Sequence, residues 1–348
     1  MNFLGISMNT LNKDLQKLNE IKDNLKKVEE IDDLMHSYDM VNTVLELCNN
    51  QSLEEINIKA NYKKLEKYKN KLLSKQITRY IENDFLLELA SNFFNNYYEY
   101  YFNKSKVLKQ RTLKEVKQKV LSFYGEIGTL EYDVAKTIFA EKRIDTLDTN
   151  IYNGFSIYSI LLKTGYIFLN NDIRVNDDLI IILTHEIAHI IEANLQSKYN
   201  TIYSISNINF LTEIISTIYE LQCAKYLGNE ISNYTSSRQI NSALLNFTDI
   251  LLYYRMNYKI RNSSLESFNE TDKLDMFNPI LYSFPVYLSL KLLDNNINIK
   301  DIKISINYMI KQNYNLTYEE IVKIFNLDLN DFISGKINNN NMKKYLKK

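Results

Sequence analysis

Residues 183 to 190 read Leu-Thr-His-Glu-Ile-Ala-His-Ile. Two of the chain's 3 histidines, His185 and His189, lie four residues apart, with Glu186 beside the first. On a helix, positions four apart stand one turn apart on the same face. Two imidazoles so placed can reach one metal ion. Zinc suits them, because it is borderline-soft and accepts nitrogen and oxygen ligands. Glu186 points roughly 100° around the helix. It is therefore kept from crowding the metal, and it can reach a water bound there and take its proton. That division of labour is the mechanical content of the H-E-x-x-H pattern.

The pattern would arise by accident in on the order of one in several hundred sequences so poor in histidine. The flanks Ile180, Ile181, Ile182, Leu183, Ile187, Ile190 and Ile191 make the helix almost wholly apolar. Two imidazoles and a carboxylate buried there without partners would be costly, and a metal removes that cost.

A catalytic zinc needs a third protein ligand and an open position. No histidine follows His189, which excludes the metzincin spacing. His36 lies in a charged stretch and reads as an exposed helix residue. Glu213 is the first acidic residue after Glu192 and sits in an apolar helical run, 24 residues beyond His189. A loop over Ser197 to Asn207 can turn the chain back so that the two helices cross and Glu213 completes the site. Glu192, one turn after His189, is an alternative ligand. Glu220, two turns after Glu213, and Ser216 or Thr217 are candidates to orient the ligands.

His185-Glu186-Ile187-Ala188-His189 followed by Phe210-Leu211-Thr212-Glu213-Ile214-Ile215-Ser216-Thr217-Ile218-Tyr219-Glu220 resembles the thimet oligopeptidase and oligoendopeptidase F family of zinc metallopeptidases. That family pairs a zinc helix with a Glu-x-x-Ser helix at similar spacing. The resemblance covers about residues 150 to 225, with a weaker echo to about 292. It implies a mainly helical protein enclosing a channel for short unstructured peptides. It further implies one zinc ion on His185, His189 and Glu213, with Glu186 as general base. Gly165-Tyr166-Ile167-Phe168-Leu169-Asn170 resembles the family's active-site edge strand. Tyr166, Phe168 and Asn170 would then hold a peptide by strand addition. Ile280-Leu281-Tyr282-Ser283-Phe284-Pro285-Val286-Tyr287 resembles its tyrosine segment, so Tyr282 or Tyr287 would donate to the oxyanion. The chain departs from the family at Ala188, where glycine is usual, and at Glu192, where histidine is usual. The family's histidine near the C-terminal end has no counterpart, since no histidine follows His189.

The elements that must position these residues follow from composition and periodicity. The chain has 348 residues, of which 45% are hydrophobic, so a sizeable core is available. Seven glycines and two prolines point to helix, because both residues punctuate chains. Leu11, Leu15, Leu18, Ile21, Leu25, Val28, Ile31 and Leu34 recur at three- and four-residue steps, the stripe of an amphipathic helix or helix pair. Ser52 with Glu55, and Thr112 with Glu115, are capping boxes. A helix is expected over about 130–141. Two β-rich runs, Gly154 to Ile160 and Gly165 to Asn170, read as a hairpin turning near Lys163. Asn176 or Asp177 then caps the motif helix, expected from Asp178 to about Leu195. The tract Asn338 to Asn341 is of low complexity, and the Lys-rich tail after it reads as frayed.

Lys+Arg and Asp+Glu are both 42, which leaves no electrostatic footprint for nucleic acid or an anionic membrane. Cys48 and Cys223 fit no disulfide framework and suit a reducing compartment. The first residues carry no signal pattern, and no run of about 18 apolar residues exists. A cytoplasmic protein is the expectation. The fold class expected is mainly α: a gluzincin-like helical zinc metallopeptidase with a small β-hairpin beside the active-site helix. An N-terminal helical region would span 1–145 and a catalytic region 146–348, as one continuous fold around a substrate channel. The expected function is zinc-dependent endopeptidase action on short unstructured peptides. A dedicated maturation or toxin-like protease with a single target is the alternative, and a non-catalytic zinc-containing peptide-binding protein is the second.

Overall fold

The computed structural model describes residues 5–22, 37–38, 40–45, 47–48, 83–103, 108–147, 153–159, 161–198, 213–263, 277–312 and 316–348. His36, the Ser52–Glu55 capping box and Phe210 to Thr212 lie outside them. The described chain is mainly helical with small sheets. In order it forms α1 (Met8–Lys22), α2 (Asp84–Tyr97), β1 (Tyr101–Phe102), α3 (Leu113–Ile127) and α4 (Thr129–Ala140). Then come β2 (Ile144–Leu147), β3 (Gly154–Ser159), β4 (Thr164–Asn170), α5 (Asp177–Lys198), α6 (Glu213–Leu227) and α7 (Asn229–Ser263). The last are α8 (Phe277–Asp294), α9 (Ile299–Lys311), α10 (Tyr318–Ile324), α11 (Leu329–Ile333) and β5 (Leu346–Lys347). The chain divides into two compact units that interleave in sequence. One holds Met1–Ile58 and Leu108–Tyr203, the other Lys59–Val107 and Ser204–Lys348.

In the first unit, β4 is the middle strand of a three-stranded sheet ordered β2-β4-β3. β3 and β4 form the expected antiparallel hairpin, with Ser159 opposite Thr164 and Gly154 opposite Leu169. β2 adds in parallel, Ile144 opposite Ile167. Alternate side chains of a strand face opposite ways, so β4 serves two cores. Tyr166 and Phe168 join Leu11, Leu18, Val41, Val44 and Leu147. Gly165 faces the other way, where an added Cβ would come within 2.9 Å of Ile190 of α5. α3 packs beside α5 and donates the Tyr124 hydroxyl to the Thr184 carbonyl at 2.5 Å.

A polar knot lies on the α1 side of this sheet. Asp14 is fully buried and takes both arms of Arg143, at 2.6 and 3.0 Å. It also accepts the Tyr166 hydroxyl, while the guanidinium lies 4.9 Å from the centre of the Tyr166 ring. A bidentate, charge-assisted pair of this kind satisfies groups that would otherwise be buried at a cost. Burial opposes the charge on Arg143, yet the Asp14 hydrogen bond and charge outweigh it and hold the guanidinium protonated.

In the second unit, α6, α7 and α8 pack against one another, and α2 lies against α7. Phe93, Phe247, Tyr287 and Phe332 interlock with ring centres 4.8 to 6.4 Å apart. Lys291 of α8 is fully buried and held by Asp331 at 2.6 Å and Asp294 at 3.6 Å. The tail is not frayed. Met342 is buried, its carbonyl takes the Ser237 hydroxyl at 2.7 Å, and β5 pairs with β1. The aromatic and apolar residues between its lysines hold the tail down, which lysine content alone conceals.

Candidate functional site

α5 starts where the sequence caps it. The Asn176 side chain accepts the Asp178 amide at 2.9 Å, as an N-cap does. Asp177 is pinned in turn by Arg111 at 2.7 Å and by the Lys109 amide at 2.8 Å. From there the helix runs through the apolar interior of the first unit. Ile180, Ile181, Leu183, Ile187, Ile190 and Ile191 are fully buried.

His185 and His189 lie on a less buried part of this helix. Both are half-buried, and their ring centres lie 5.1 Å apart at an interplanar angle of 76°. The one-turn spacing thus puts two imidazoles side by side on one face. Glu186 is buried next to them at 6% exposure. Glu192 is buried one turn further on and accepts the Gln196 amide at 3.1 Å.

Glu213 opens α6 in the second unit, where it is buried at 7% exposure. The Ser216 hydroxyl donates to its Oε2 at 3.1 Å and lies the same distance from its main-chain carbonyl. Tyr282 of α8 donates to Oε1 at 3.4 Å. Thr217 bonds the Glu213 carbonyl at 2.6 Å and meets the Ser289 hydroxyl of α8 at 2.9 Å. Of the residues considered as supports for Glu213, Ser216 and Thr217 touch it. Glu220 instead bonds Gln239 at 2.5 Å and Arg238 at 3.3 Å on α7.

Two expectations need correction. Tyr166 to Asn170 is not an edge strand, because β2 occupies the side the hairpin leaves open. The Tyr166 and Phe168 side chains lie in the α1 core, on the face of β4 away from α5. The outer strand of the hairpin is β3, half-buried from Gly154 to Tyr158. Tyr287, the other tyrosine considered for the oxyanion, is fully buried and donates its hydroxyl to the Phe332 carbonyl at 2.9 Å. Burial pushes its phenol well above the ordinary range. Tyr282 and Tyr287 are five positions apart, about 140° around a helix, so they face different surroundings.

No family model and no curated protein matches the sequence. Among solved structures, the chain is similar to one assigned as oligoendopeptidase F from Bacillus anthracis str. Ames. That likeness has 15% identity and a TM-score of 0.47, covering 65% of this chain and 46% of the other. A structure of PZ peptidase A with an inhibitor is 13% identical, with a TM-score of 0.49 over 78% of this chain and 59% of its own. One assigned as a peptidase from Chlamydophila abortus is 15% identical, with a TM-score of 0.46 over 79% and 55%. The chain therefore spans about half the length of these structures. No helix among the described residues is long and apolar enough to cross a membrane.

Proposed function

We propose that the protein is a zinc-dependent peptidase, with His185, His189 and Glu213 as the metal ligands and Glu186 as the general base. The observation that carries this reading is the pair of half-buried imidazoles, with ring centres 5.1 Å apart, on a helix whose Ile180, Ile181, Leu183, Ile187, Ile190 and Ile191 are fully buried. Each of His185, His189 and Glu213 offers one ligand atom, two from half-buried imidazoles and one from a buried carboxylate. Two nitrogens and one carboxylate oxygen are the donor set of a zinc site that keeps a position for chemistry.

When bound, zinc supplies Lewis-acid polarisation of a carbonyl and makes water a stronger acid. Glu186 accepts a proton from the attacking water and delivers it to the leaving amine. Its burial keeps bulk solvent away and strengthens its electrostatic coupling to the reacting groups. β3, the outer strand, offers its main-chain edge to an extended peptide by strand addition. Substrates able to pair in this way present an extended, unstructured segment.

Metal analysis of the purified protein, combined with hydrolysis of a short-peptide mixture before and after chelation, tests the proposal. The expected result is one zinc per chain and cleavage that chelation stops and zinc restores. Cleavage that survives complete removal of metal would refute it.

A further inference from the structure

Both carboxylate oxygens of Glu213 accept hydroxyl groups, and the two hydroxyls come from different helices. Ser216 of α6 reaches Oε2 from one turn along the same helix. Tyr282 of α8 reaches Oε1. Two turns along α8 from Tyr282, Ser289 meets Thr217, whose own hydroxyl bonds the Glu213 main-chain carbonyl. Tyr282 and Ser289 are seven positions apart, so they share one face of α8. That face meets the first turn of α6 at two levels, one on the carboxylate and one behind it. Ser289 also donates to the carbonyl of Pro285, the proline inside α8, at 2.8 Å.

We infer that Tyr282 and Ser216 are positioning residues that orient the Glu213 carboxylate for zinc, and that Tyr282 acts through Glu213 and not on a substrate oxyanion. The inference rests on the zinc reading proposed above. A carboxylate free to rotate about its last side-chain bond loses orientational freedom when it binds a metal. Hydroxyls that hold it beforehand reduce that loss, and such outer partners carry about 10- to 100-fold in metal affinity. Tyr287 cannot share this work, since its hydroxyl lies in the aromatic core on the Phe332 carbonyl.

The test is zinc affinity, measured by competition with a chromophoric chelator, for wild type, Tyr282→Phe and Ser216→Ala. Thermal melting of the metal-free proteins reports whether each variant is folded. The inference predicts that both variants melt within a few degrees of wild type and bind zinc about 10-fold or more weakly. With saturating zinc, Tyr282→Phe should recover most of the wild-type kcat. Unchanged zinc affinity in a folded Tyr282→Phe, with kcat still depressed at saturating zinc, would overturn the positioning role and assign the hydroxyl to the substrate. If Tyr282→Phe fails to fold, Ser216→Ala decides, and unchanged affinity there overturns the inference. Absence of zinc binding by wild type would overturn the metal reading itself, an outcome distinct from the others.

Discussion

Glu186 is the residue on which the proposed chemistry turns. Its exchange for Gln preserves size and removes the base. Because positioned proton transfer contributes about 10²- to 10⁴-fold, Glu186→Gln should lower kcat by that range while zinc content stays at the wild-type value. His189→Ala should lose the metal as well as activity. Paired metal and rate measurements separate the two effects. At the same scale, Arg143 and Asp14 make a prediction about stability. Each is buried to 1% exposure or less and each answers the other's charge. Arg143→Met leaves Asp14 as a buried carboxylate with only part of its partners, a change that costs about 3–5 kcal/mol. Urea denaturation should show it as a lower midpoint with little change in slope. The His-Glu-x-x-His pattern was legible in the sequence because its geometry is local, fixed within one turn of helix. Asp14 was not, because it sits among lysines and polar residues that read as a solvated face. Its partner, Arg143, is 129 residues away.

Among the elements, the hairpin of β3 and β4, the capped start of α5 and the helix from Leu113 to Ile127 with its Thr112–Glu115 box could all be read from neighbouring residues. The rank of β4 within the sheet could not. β2 is four residues long, begins soon after α4 ends, and pairs in parallel across a gap of some twenty residues, so no local signal announces it. The loss of edge status moves the expected peptide-binding strand from β4 to β3. Tyr282 and Tyr287 could not be told apart in sequence, since their segment resembles the family's tyrosine region as a whole. Their separation around α8 sends one hydroxyl to Glu213 and the other to Phe332. Gly165 is where the hairpin admits α5. A Cβ there would stand 2.6 Å from the Ile157 carbonyl and 2.9 Å from Ile190. Gly165→Ala should therefore push α5 off the sheet and destabilise the protein by about 1–3 kcal/mol, again read from a urea midpoint.

For the whole molecule, three buried tyrosines make stability depend on alkaline pH. Tyr97, ordinarily at 10.0, is pushed up to about 12, by burial first and opposed by the hydrogen bond its oxygen accepts from the Ile337 amide. Burial raises Tyr166 and Tyr287 as well. The folded state favours the protonated phenols, so above about pH 10 the unfolded chain binds fewer protons than the native one. Their contribution is fully present below pH 10 and is lost as the pH rises toward 12 and beyond. Melting temperature measured from pH 8 to 12 should be flat up to 10 and fall after it. Under the proposed function, zinc acts on the same quantity by mass action. At about 100 times its dissociation constant it adds about 2.7 kcal/mol to the folded state. The melting temperature should rise with zinc in wild type and stay fixed in His189→Ala.

The most direct test of the central claim is mass spectrometry of a mixed library of unfolded peptides incubated with the zinc-loaded protein, beside Glu186→Gln loaded in the same way. The account predicts cleavage of many short peptides by wild type and cleavage slowed by about 10²-fold or more in the variant, with zinc bound to both. Equal cleavage by the two proteins, or none by a wild type that holds its zinc, would contradict it.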